Sequence, residues 1–326
     1  MFTRSLRTVL VFSIVFAAAF GFIRSAQPAT AQDVCVANVE AALTWMATLQ
    51  NADGGFTNGF QPESDFGTTA DTIFAINSAD GDLTEFVKEG KSPLDYVTDQ
   101  VTQGKVTKAG VLGKLLLALA YTDATPASFG THDLIAETTE ALKALEDGSD
   151  LYSLSLGVLG LRAVGVDVPD TTIKALLDAR GTDGGWGFSK GTPSDTNTAS
   201  FALQALIAAD AEFDAAPTLA YFKSVQSKDS GWAYQAPASG ESVSDANSTA
   251  AVVQALIAAG EDLSTWGSPE KTLASFQQAD GSFTYQLSQP APSFLATVQA
   301  LPVLCGATLI VKSDAMSATP DATPAQ

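Results

Sequence analysis

Residues 181–210 read GTDGGWGFSKGTPSDTNTASFALQALIAAD, and this stretch decides how the rest of the chain is interpreted. The triplet Asp-Gly-Gly at 183–185 predicts a helix end, because glycine adopts the left-handed backbone that closes a helix. Trp186 and Phe188 follow two residues apart, so both side chains point the same way in an extended loop. Asp195 then predicts the start of an apolar helix, since its carboxylate can accept hydrogen bonds from the first helical turn.

The same unit recurs along the chain. The Ser-Asp-Thr-Asn-Thr block at 194–198 and the Gln-Ala-Leu-Ile-Ala-Ala block at 204–209 have counterparts at 244–248 and 254–259. Weaker copies bring the number of predicted helix starts to six: Asp65, Lys108, Asp150, Asp195, Asp245 and Pro290. Their separations of 43, 42, 45, 50 and 45 residues are those of a repeat architecture.

Each repeat combines two helices of different character. An amphipathic pattern, as at residues 39–49 and 135–145, precedes the helix start, and a nearly all-apolar pattern follows it. No run of alternating β-branched residues indicates a strand. Because an all-apolar helix must be buried on every side, six of them predict an inner ring with the amphipathic helices outside. We therefore expect an all-α fold, a closed (α/α)6 toroid over residues 32–311; an open solenoid with polar end caps is the alternative.

The two ends of the chain differ from the repeats. Residues 1–31 carry basic residues before an apolar run and end in Ala-Thr-Ala, which is typical of a secretory signal peptide cleaved near Ala31. A membrane anchor is the alternative, although the run is short for a span. We expect a secreted protein without a membrane span in the mature chain. Residues 312–326 are rich in Thr, Ala and Pro and predict a disordered tail.

Charge and cysteine content narrow the possibilities further. Without the predicted signal peptide, 14 basic residues face 36 acidic ones, and such an acidic surface repels phosphate backbones, so nucleic acid is not an expected partner. The only two cysteines, Cys35 and Cys305, stand near the start of the first outer helix and after the last inner helix. In a closed ring these ends meet, so we predict a disulfide between them. Two unrelated thiols are the alternative.

Four predicted helix ends share a longer pattern, Q-x-x-D-G-G-[F/W] or a close variant, beginning at Gln50, Arg180, Gln226 and Gln277. The pattern resembles the repeats of the prenyltransferase, squalene oxidase and squalene–hopene cyclase superfamily, whose fold is an α/α toroid, and the resemblance covers roughly residues 36–309. Within that superfamily, residues 296–304 are similar to the end of the helical domain of cobalamin carriers of the transcobalamin and intrinsic-factor group. That similarity makes cobalamin one candidate ligand.

The resemblance also implies two kinds of catalysis, but their key residues are missing. The cyclases of the superfamily protonate their substrate with the middle acid of an Asp-x-Asp-Asp-Thr-Ala motif. Aligning its end with Thr198-Ala199 puts Thr196 at that position, and a threonine is no strong general acid. The protein prenyltransferases need zinc, and His132 and the two cysteines lack the spacing of zinc ligands. We therefore predict no catalytic residue and no metal site, and favour a binding protein over an enzyme.

The sequence instead predicts a binding site at one end of the ring. All inner helices of a toroid run the same way, so their N-termini surround one mouth. There we expect a partly apolar small molecule, a corrinoid or a terpenoid among the candidates, to contact acids, amides and aromatic rings. The predicted binding residues are Asp65, Asp150, Asp195, Asn197, Asp245, Asn247, Phe188, Tyr234 and Tyr285.

Two alternatives to this site remain open. Each acid could serve only as a helix N-cap, which stabilises a helix by about 1 kcal/mol. Alternatively, Asp195 and Asp245 could act as the acid and base of a glycosidase, or the chain could be another enzyme of the cyclase and prenyltransferase superfamily.

The first ring of each loop pair, such as Trp186, is expected to pack on the preceding helix, which leaves the second ring for the mouth.

Overall fold

The structure, a computed structural model, describes the backbone of residues 31–310 and the side chains of residues 39–310. Twelve α-helices in this range form six pairs, the outer helix first in each pair: α1 (Ala31–Thr48) and α2 (Phe66–Ser78), α3 (Pro93–Thr102) and α4 (Ala109–Leu119), α5 (Leu134–Lys143) and α6 (Leu151–Ala163), α7 (Asp170–Asp178) and α8 (Thr196–Ala208), α9 (Ala216–Ser224) and α10 (Ala246–Ala258), α11 (Pro269–Ala274) and α12 (Phe294–Leu304). Three short 3-10 helices lie between them, at Leu83–Glu85, Pro126–Ser128 and Leu263–Trp266.

The inner helices form a closed ring. Each even-numbered helix packs against the next, and α12 packs back against α2, so the ring has no free end. At the junction the ring of Phe294 stacks on Phe56 with centroids 5.3 Å apart and lies 6.1 Å from Trp45. Residues from the first and last repeats are thus in direct contact. The predicted (α/α)6 toroid is confirmed, and the open solenoid is excluded.

In four repeats, the Gln-x-x-Asp-Gly-Gly helix end is followed by an aromatic residue that packs against the core. The aromatic residue that follows the turn is fully buried in four repeats: Phe56, Trp186, Trp232 and Phe283. The indole N–H groups of Trp186 and Trp232 donate to carbonyls of the preceding outer helix, at 2.8 and 2.9 Å. The first aromatic of each loop therefore anchors the fold, as its position in the sequence suggested.

The sixth repeat departs from the prediction in two ways. A two-stranded antiparallel sheet, β1 (Phe283–Gln286) and β2 (Gln289–Ser293), occupies the loop where no strand was expected. The inner helix that follows is capped by Ser293, whose hydroxyl accepts from Ala296 N at 3.2 Å, and not by Pro290, which lies within β2. The alignment was wrong by three residues. The error could not be detected from the sequence, because residues three apart share a helix face and the apolar pattern barely changes when the alignment shifts by three.

The predictions for the chain ends lie almost entirely outside the described residues. The signal peptide, residues 1–31, is outside apart from Ala31, and so is the tail at 312–326. The side chain of Cys35 is likewise not described, so the bridge to Cys305 stays a prediction, testable by mass spectrometry of non-reduced tryptic peptides. Over residues 31–310, no helix has the length and hydropathy needed to cross a membrane.

Candidate binding face at the inner-helix N-termini

Four of the predicted acids are helix N-caps. In Asp65, Asp150, Asp195 and Asp245 one carboxylate oxygen accepts a hydrogen bond from the backbone N–H three residues later, at 2.8, 2.9, 2.7 and 2.8 Å. This arrangement satisfies one of the N–H groups that a helix start leaves without a partner. Capping therefore accounts for one oxygen of each acid.

Burial divides the four acids into two classes. Asp65 and Asp150 are half-buried, whereas Asp195 and Asp245 are 0% and 1% exposed. Burial raises the pKa of both Asp195 and Asp245, since desolvation penalises the charged carboxylate. The second oxygen of Asp245 accepts from the Ser248 hydroxyl at 3.0 Å. The second oxygen of Asp195, Oδ2, receives no hydrogen bond of normal geometry in the described residues.

The three predicted aromatic residues lie above these caps. Phe188, Tyr234 and Tyr285 are 51%, 43% and 40% exposed. Each belongs to the loop of one repeat but covers the inner-helix start of the preceding repeat. The carbonyl of Phe188 accepts from Leu151 N at 2.8 Å, and that of Tyr234 from Thr196 N at 2.9 Å. Phe188 thus lies over the start of α6 and Tyr234 over the start of α8.

The tyrosine hydroxyls lie near the buried caps. Hydrogen bonds from Thr198 to Asp195 and from Ser248 to Asp245 partly offset the effect of burial on the pKa of the two acids, and the hydroxyls of Tyr234 and Tyr285 add a smaller contribution in the same direction. Burial and the nearby carboxylate raise the pKa of each tyrosine, so both stay protonated and remain donors at neutral pH. The sequence placed acids and rings at one mouth, but it did not show that each ring covers the acid of its neighbour.

The two predicted asparagines have different surroundings. Asn247 turns into the lumen of the ring, where its side-chain N–H donates to Gln299 Oε1 at 2.6 Å. Asn197 is half-buried beside Thr196 at the rim. The Thr196 hydroxyl donates to the carbonyl of Ala233 at 2.9 Å and is fully buried. The position that the cyclase resemblance assigns to the catalytic acid is therefore occupied by a hydroxyl that fastens a loop.

The lumen contains a charged group that sequence reasoning missed. Lys114 Nζ lies 2.6 Å from Asp71 Oδ2, with both side chains mostly buried. Burial lowers the pKa of Lys114, but Asp71 and Tyr152 together more than offset this and raise it overall, so Lys114 stays charged. Tyr152, whose pKa burial raises, lies beside the pair. The remaining lumen is small, with a volume of about 50 Å³.

A positional rule identifies the lumen residues. Nearly all of them stand two, six or nine residues after a helix cap, which is one face of an inner helix. Applied to Asp65 and Lys108, the rule finds Asp71 and Lys114 six residues later. The signal was available in the sequence once the repeat was aligned. Those lining the lumen at these positions are Asp71, Phe74, Lys114, Leu117, Tyr152, Leu156, Phe201, Asn247, Ala251, Gln254, Gln299 and Pro302.

Other chemistry is sparse in the described part of the chain. No cluster of three or more His, Cys, Asp or Glu side chains that could hold a metal ion occurs there. His132 Nδ1 lies 2.7 Å from Glu137 Oε1 in a surface loop.

Comparisons with known proteins identify the fold family. A prenyltransferase alpha-alpha toroid domain model matches residues 7–108 and 151–291, which is most of the chain. A comparison with curated protein sequences found no match. Among solved structures, a glycosidase variant in complex with glucose has a TM-score of 0.62 at 14% identity, covering 84% of this chain and 96% of that one.

A terpene cyclase is similar to the same degree. The type II terpene cyclase MstE from Scytonema, without ligand, has a TM-score of 0.59 at 13% identity, covering 84% of this chain and 98% of that one. A variant of MstE in complex with geranylgeranyl dihydroxybenzoate has a TM-score of 0.61 at 13% identity, with 85% and 98% covered. At such low identity these similarities show a shared fold alone. The family match, the repeats and the closed ring agree, and the chain belongs to the prenyltransferase alpha-alpha toroid domain family.

Proposed function

We propose that this chain is a secreted binding protein that holds a partly apolar small molecule on the face formed by the inner-helix N-termini. The observation that carries the proposal is the row of half-exposed rings, Phe188, Tyr234 and Tyr285, above the capping acids. Each ring offers an apolar surface, and the two tyrosines add a hydroxyl at its edge. Such a surface suits a ligand with flat apolar parts bordered by hydrogen-bonding groups.

The distribution of exposed apolar side chains favours this face. Within residues 39–310, large exposed apolar side chains occur at eight positions, and six of them lie in loops that lead into inner helices: Phe60, Phe188, Tyr234, Val243, Tyr285 and Leu287. The other two, Val87 and Tyr121, lie in connections at the opposite end of the helices. A concentration of exposed apolar surface on one face is typical of an interaction site.

The small size of the lumen favours binding at the mouth of the ring. Pockets that enclose a drug-sized ligand measure roughly 300–1,000 Å³. The lumen has about 50 Å³, which is room for a few water molecules. A corrinoid or a terpenoid would therefore lie across the mouth and not inside the ring. The position where the resemblance implies a catalytic acid is occupied by Thr196, whose hydroxyl donates to a loop carbonyl and is no strong acid.

One observation favours an enzymatic alternative. The pKa of Asp195 is raised, as required of the general acid of a glycosidase, and its Oδ2 lacks a hydrogen bond of normal geometry. Asp195 and Asp245 are, however, both buried beneath tyrosines and bonded as caps, so substrate could reach them only after Tyr234 and Tyr285 move. Release of reducing sugar from a glycan panel, abolished by Asp195→Asn with Asp245→Asn, would establish this alternative.

The binding proposal is tested by chemical protection of tyrosines. The mature protein is screened by thermal shift against cobalamin, polyprenols and oligosaccharides, and any hit is then present during nitration with tetranitromethane. We expect the ligand to slow nitration of Tyr234 and Tyr285, while Tyr121, which is 36% exposed at the other end of the helices, reacts at its usual rate. A hit that protects Tyr121 instead, or none of the three tyrosines, would refute the proposed face.

A further inference from the structure

A groove lies at the end of the ring opposite the proposed binding face, where the connections of the first three repeats meet. Its volume is about 530 Å³, which is within the range of small-molecule sites. Leu83, Leu94 and Tyr121 contribute apolar surface, and Asp82 and Asp123 are its charged lining residues. None of the lining residues, all of which belong to the described range, is basic. The groove is thus partly apolar and negatively charged.

The junction between the third and fourth repeats shows what a similar pair of acids binds. Arg162, near the end of α6, forms ion pairs with Asp167 through Nη1 and with Asp210 through Nη2, the second at 3.4 Å. Its Nε donates to the carbonyl of Ala208 at 2.8 Å. One planar guanidinium therefore joins the connection after α6 to the end of α8, and its donors point to separate acceptors.

The groove has the same acids at the same positions of the repeat. Counted from the residue before each inner helix, Arg162 is twelfth and Asp167 is seventeenth in the third repeat, and Asp210 is fifteenth in the next. In the first and second repeats, these counts give Asn77, Asp82 and Asp123. All three line the groove. A neutral amide thus stands where the third repeat has its guanidinium.

The local backbone supports this equivalence. After α2, Gly81 N donates to Ile76 O at 2.9 Å. The corresponding bond after α6, from Val166 N to Leu161 O, has the same length. The two turns that lead to Asp82 and Asp167 are therefore closed by the same hydrogen bond.

The chain supplies no cation to the acids of the groove. Asn77 is neutral and shorter than arginine, and its buried Nδ2 has no hydrogen-bond partner among the described residues. Thr84 donates its hydroxyl at 2.6 Å and its N–H at 2.8 Å to Asp82 Oδ1. These bonds lower the pKa of Asp82, so it is charged at neutral pH. Within residues 39–310, neither Asp82 nor Asp123 belongs to an ion pair.

We propose that the groove binds a guanidinium group carried on a short aliphatic stem, in the position that the Arg162 guanidinium has in the third repeat. Asp82 and Asp123 accept hydrogen bonds from its nitrogens, and the stem lies along Leu83 and Leu94. The ends of α2 and α4 favour a cation as well, since a helix C-terminus is partly negative and neither helix has a basic residue in its last turn. This site is separate from the proposed binding face and does not depend on it.

The test titrates the full mature chain with butylguanidinium, butylammonium and butylurea, and NMR follows the side-chain amide of Asn77. The three probes share one stem but differ in charge and in the arrangement of their donors. We expect butylguanidinium to bind at least tenfold more tightly than neutral butylurea, with butylammonium between them, and added salt to weaken the two cations only.

A guanidinium could come from a free small molecule or from an arginine side chain of a peptide. L-arginine and acetyl-Gly-Arg-Gly amide distinguish the two sources, and the tighter binder of the pair identifies the source.

The variant Asn77→Arg should fill the groove from within the chain. We expect it to bind butylguanidinium at least tenfold more weakly than the wild type. The control Ser78→Arg adds the same charge one residue later, and we expect less than a threefold change. The reverse variant, Arg162→Asn, recreates the arrangement of the first repeat, so it should bind a second equivalent of butylguanidinium.

Four results would overturn the proposal. Butylurea could bind as tightly as butylguanidinium, or Asn77→Arg could keep the affinity of the wild type. A folded double variant, Asp82→Asn with Asp123→Asn, could bind butylguanidinium unchanged, so that the acids would not form the site. A folded Arg162→Asn that binds no second equivalent would contradict the equivalence of the two junctions.

Discussion

The second and third repeats are built from the same kind of helix pair as the fourth and fifth, but their inner helices pack differently. Between α4 and α6 the backbones touch, because glycines line the contact. A Cβ added to Gly113 would lie 2.2 Å from the carbonyl oxygen of Leu156, and one added to Gly160 would lie 2.5 Å from that of Gly113. The start of α4, at Lys108, has no side-chain cap. This part of the ring is specialised for close packing.

The fourth and fifth repeats keep their polar residues instead. Their inner helices begin at the buried caps Asp195 and Asp245, and tyrosine-bearing loops cover both starts. The lumen is polar on both sides but in different ways: an ion pair of Asp71 and Lys114 faces it from α2 and α4, and an amide pair of Asn247 and Gln299 faces it from α10 and α12. The same repeat unit thus provides close packing on one side of the ring and a polar, aromatic rim on the other side.

The close-packed side is expected to be the more sensitive to a single methyl group. In Gly113→Ala the new Cβ meets backbone, which cannot rotate away, so α4 and α6 must separate. We expect a loss of about 3 kcal/mol or more in the free energy of unfolding, measured by urea denaturation. Gly67→Ala in α2 is the control: its Cβ would meet no atom closer than 3.5 Å, so the better helix propensity of alanine should stabilise by about 0.5–1 kcal/mol. Equal effects at both sites would remove the distinction.

The lumen ion pair is expected to rank second. In Lys114→Met the Asp71 carboxylate loses its partner while it stays mostly buried, at a cost of about 2–3 kcal/mol at neutral pH. Desolvation already raises the pKa of Asp71. The cost should therefore shrink as the pH falls and Asp71 takes up a proton.

The double variant Lys114→Met with Asp71→Asn separates the two contributions. It removes the buried charge entirely, so we expect it to recover more than half of the stability lost in Lys114→Met. A double variant as unstable as the single one would show that packing of the lysine stem, and not its charge, dominates.

The buried caps give a smaller effect with a distinct pH dependence. Their pKa values are raised in the folded state, so the stability that they contribute is present below the unfolded pKa of about 3.8 and is lost as the pH rises through the folded values. Asparagine caps a helix about as well as aspartate but carries no charge. We expect Asp195→Asn with Asp245→Asn to match or exceed the wild type by about 1 kcal/mol at pH 7, with the advantage shrinking toward pH 4.

The half-buried caps provide the control for this variant. Asp65→Asn with Asp150→Asn keeps the same capping geometry at positions that water still reaches, and we expect a change of a few tenths of a kcal/mol at pH 7. Urea denaturation of both double variants between pH 4 and 7.5 checks the contrast. A large loss of stability in the Asp195/Asp245 variant at pH 7 would show that the buried charges themselves hold the fold together.

The sequence was sufficient to predict the repeats and the closed ring. An apolar helix follows each predicted helix start, and there are few ways to bury six such helices. It also located Asp195, Asp245, Tyr234 and Tyr285 at one end of the ring. It did not reveal that each tyrosine covers the neighbouring acid, since that contact joins residues about 40 apart through loops without a periodic pattern.

Other features escaped for different physical reasons. The strands of the β1–β2 hairpin are only four and five residues long, and β2 contains two prolines, so no alternating pattern stands out in the sequence. The ion pair of Asp71 and Lys114 joins positions 43 residues apart, and each charge alone resembles a solvated residue of a surface helix. Leu309 lies after the last repeat, in a stretch whose sequence gives no sign that it folds back into the lumen.

The central claim, that the polar and aromatic side of the ring is a binding face, is tested most directly by one affinity measurement. The strongest ligand from the screen is titrated by calorimetry into the wild type, into Tyr234→Ser with Tyr285→Ser, and into Tyr121→Ser. We expect the double variant to bind at least tenfold more weakly, because two ring contacts and two hydroxyls are lost, and Tyr121→Ser to bind like the wild type. Unchanged affinity in a folded double variant would contradict the account.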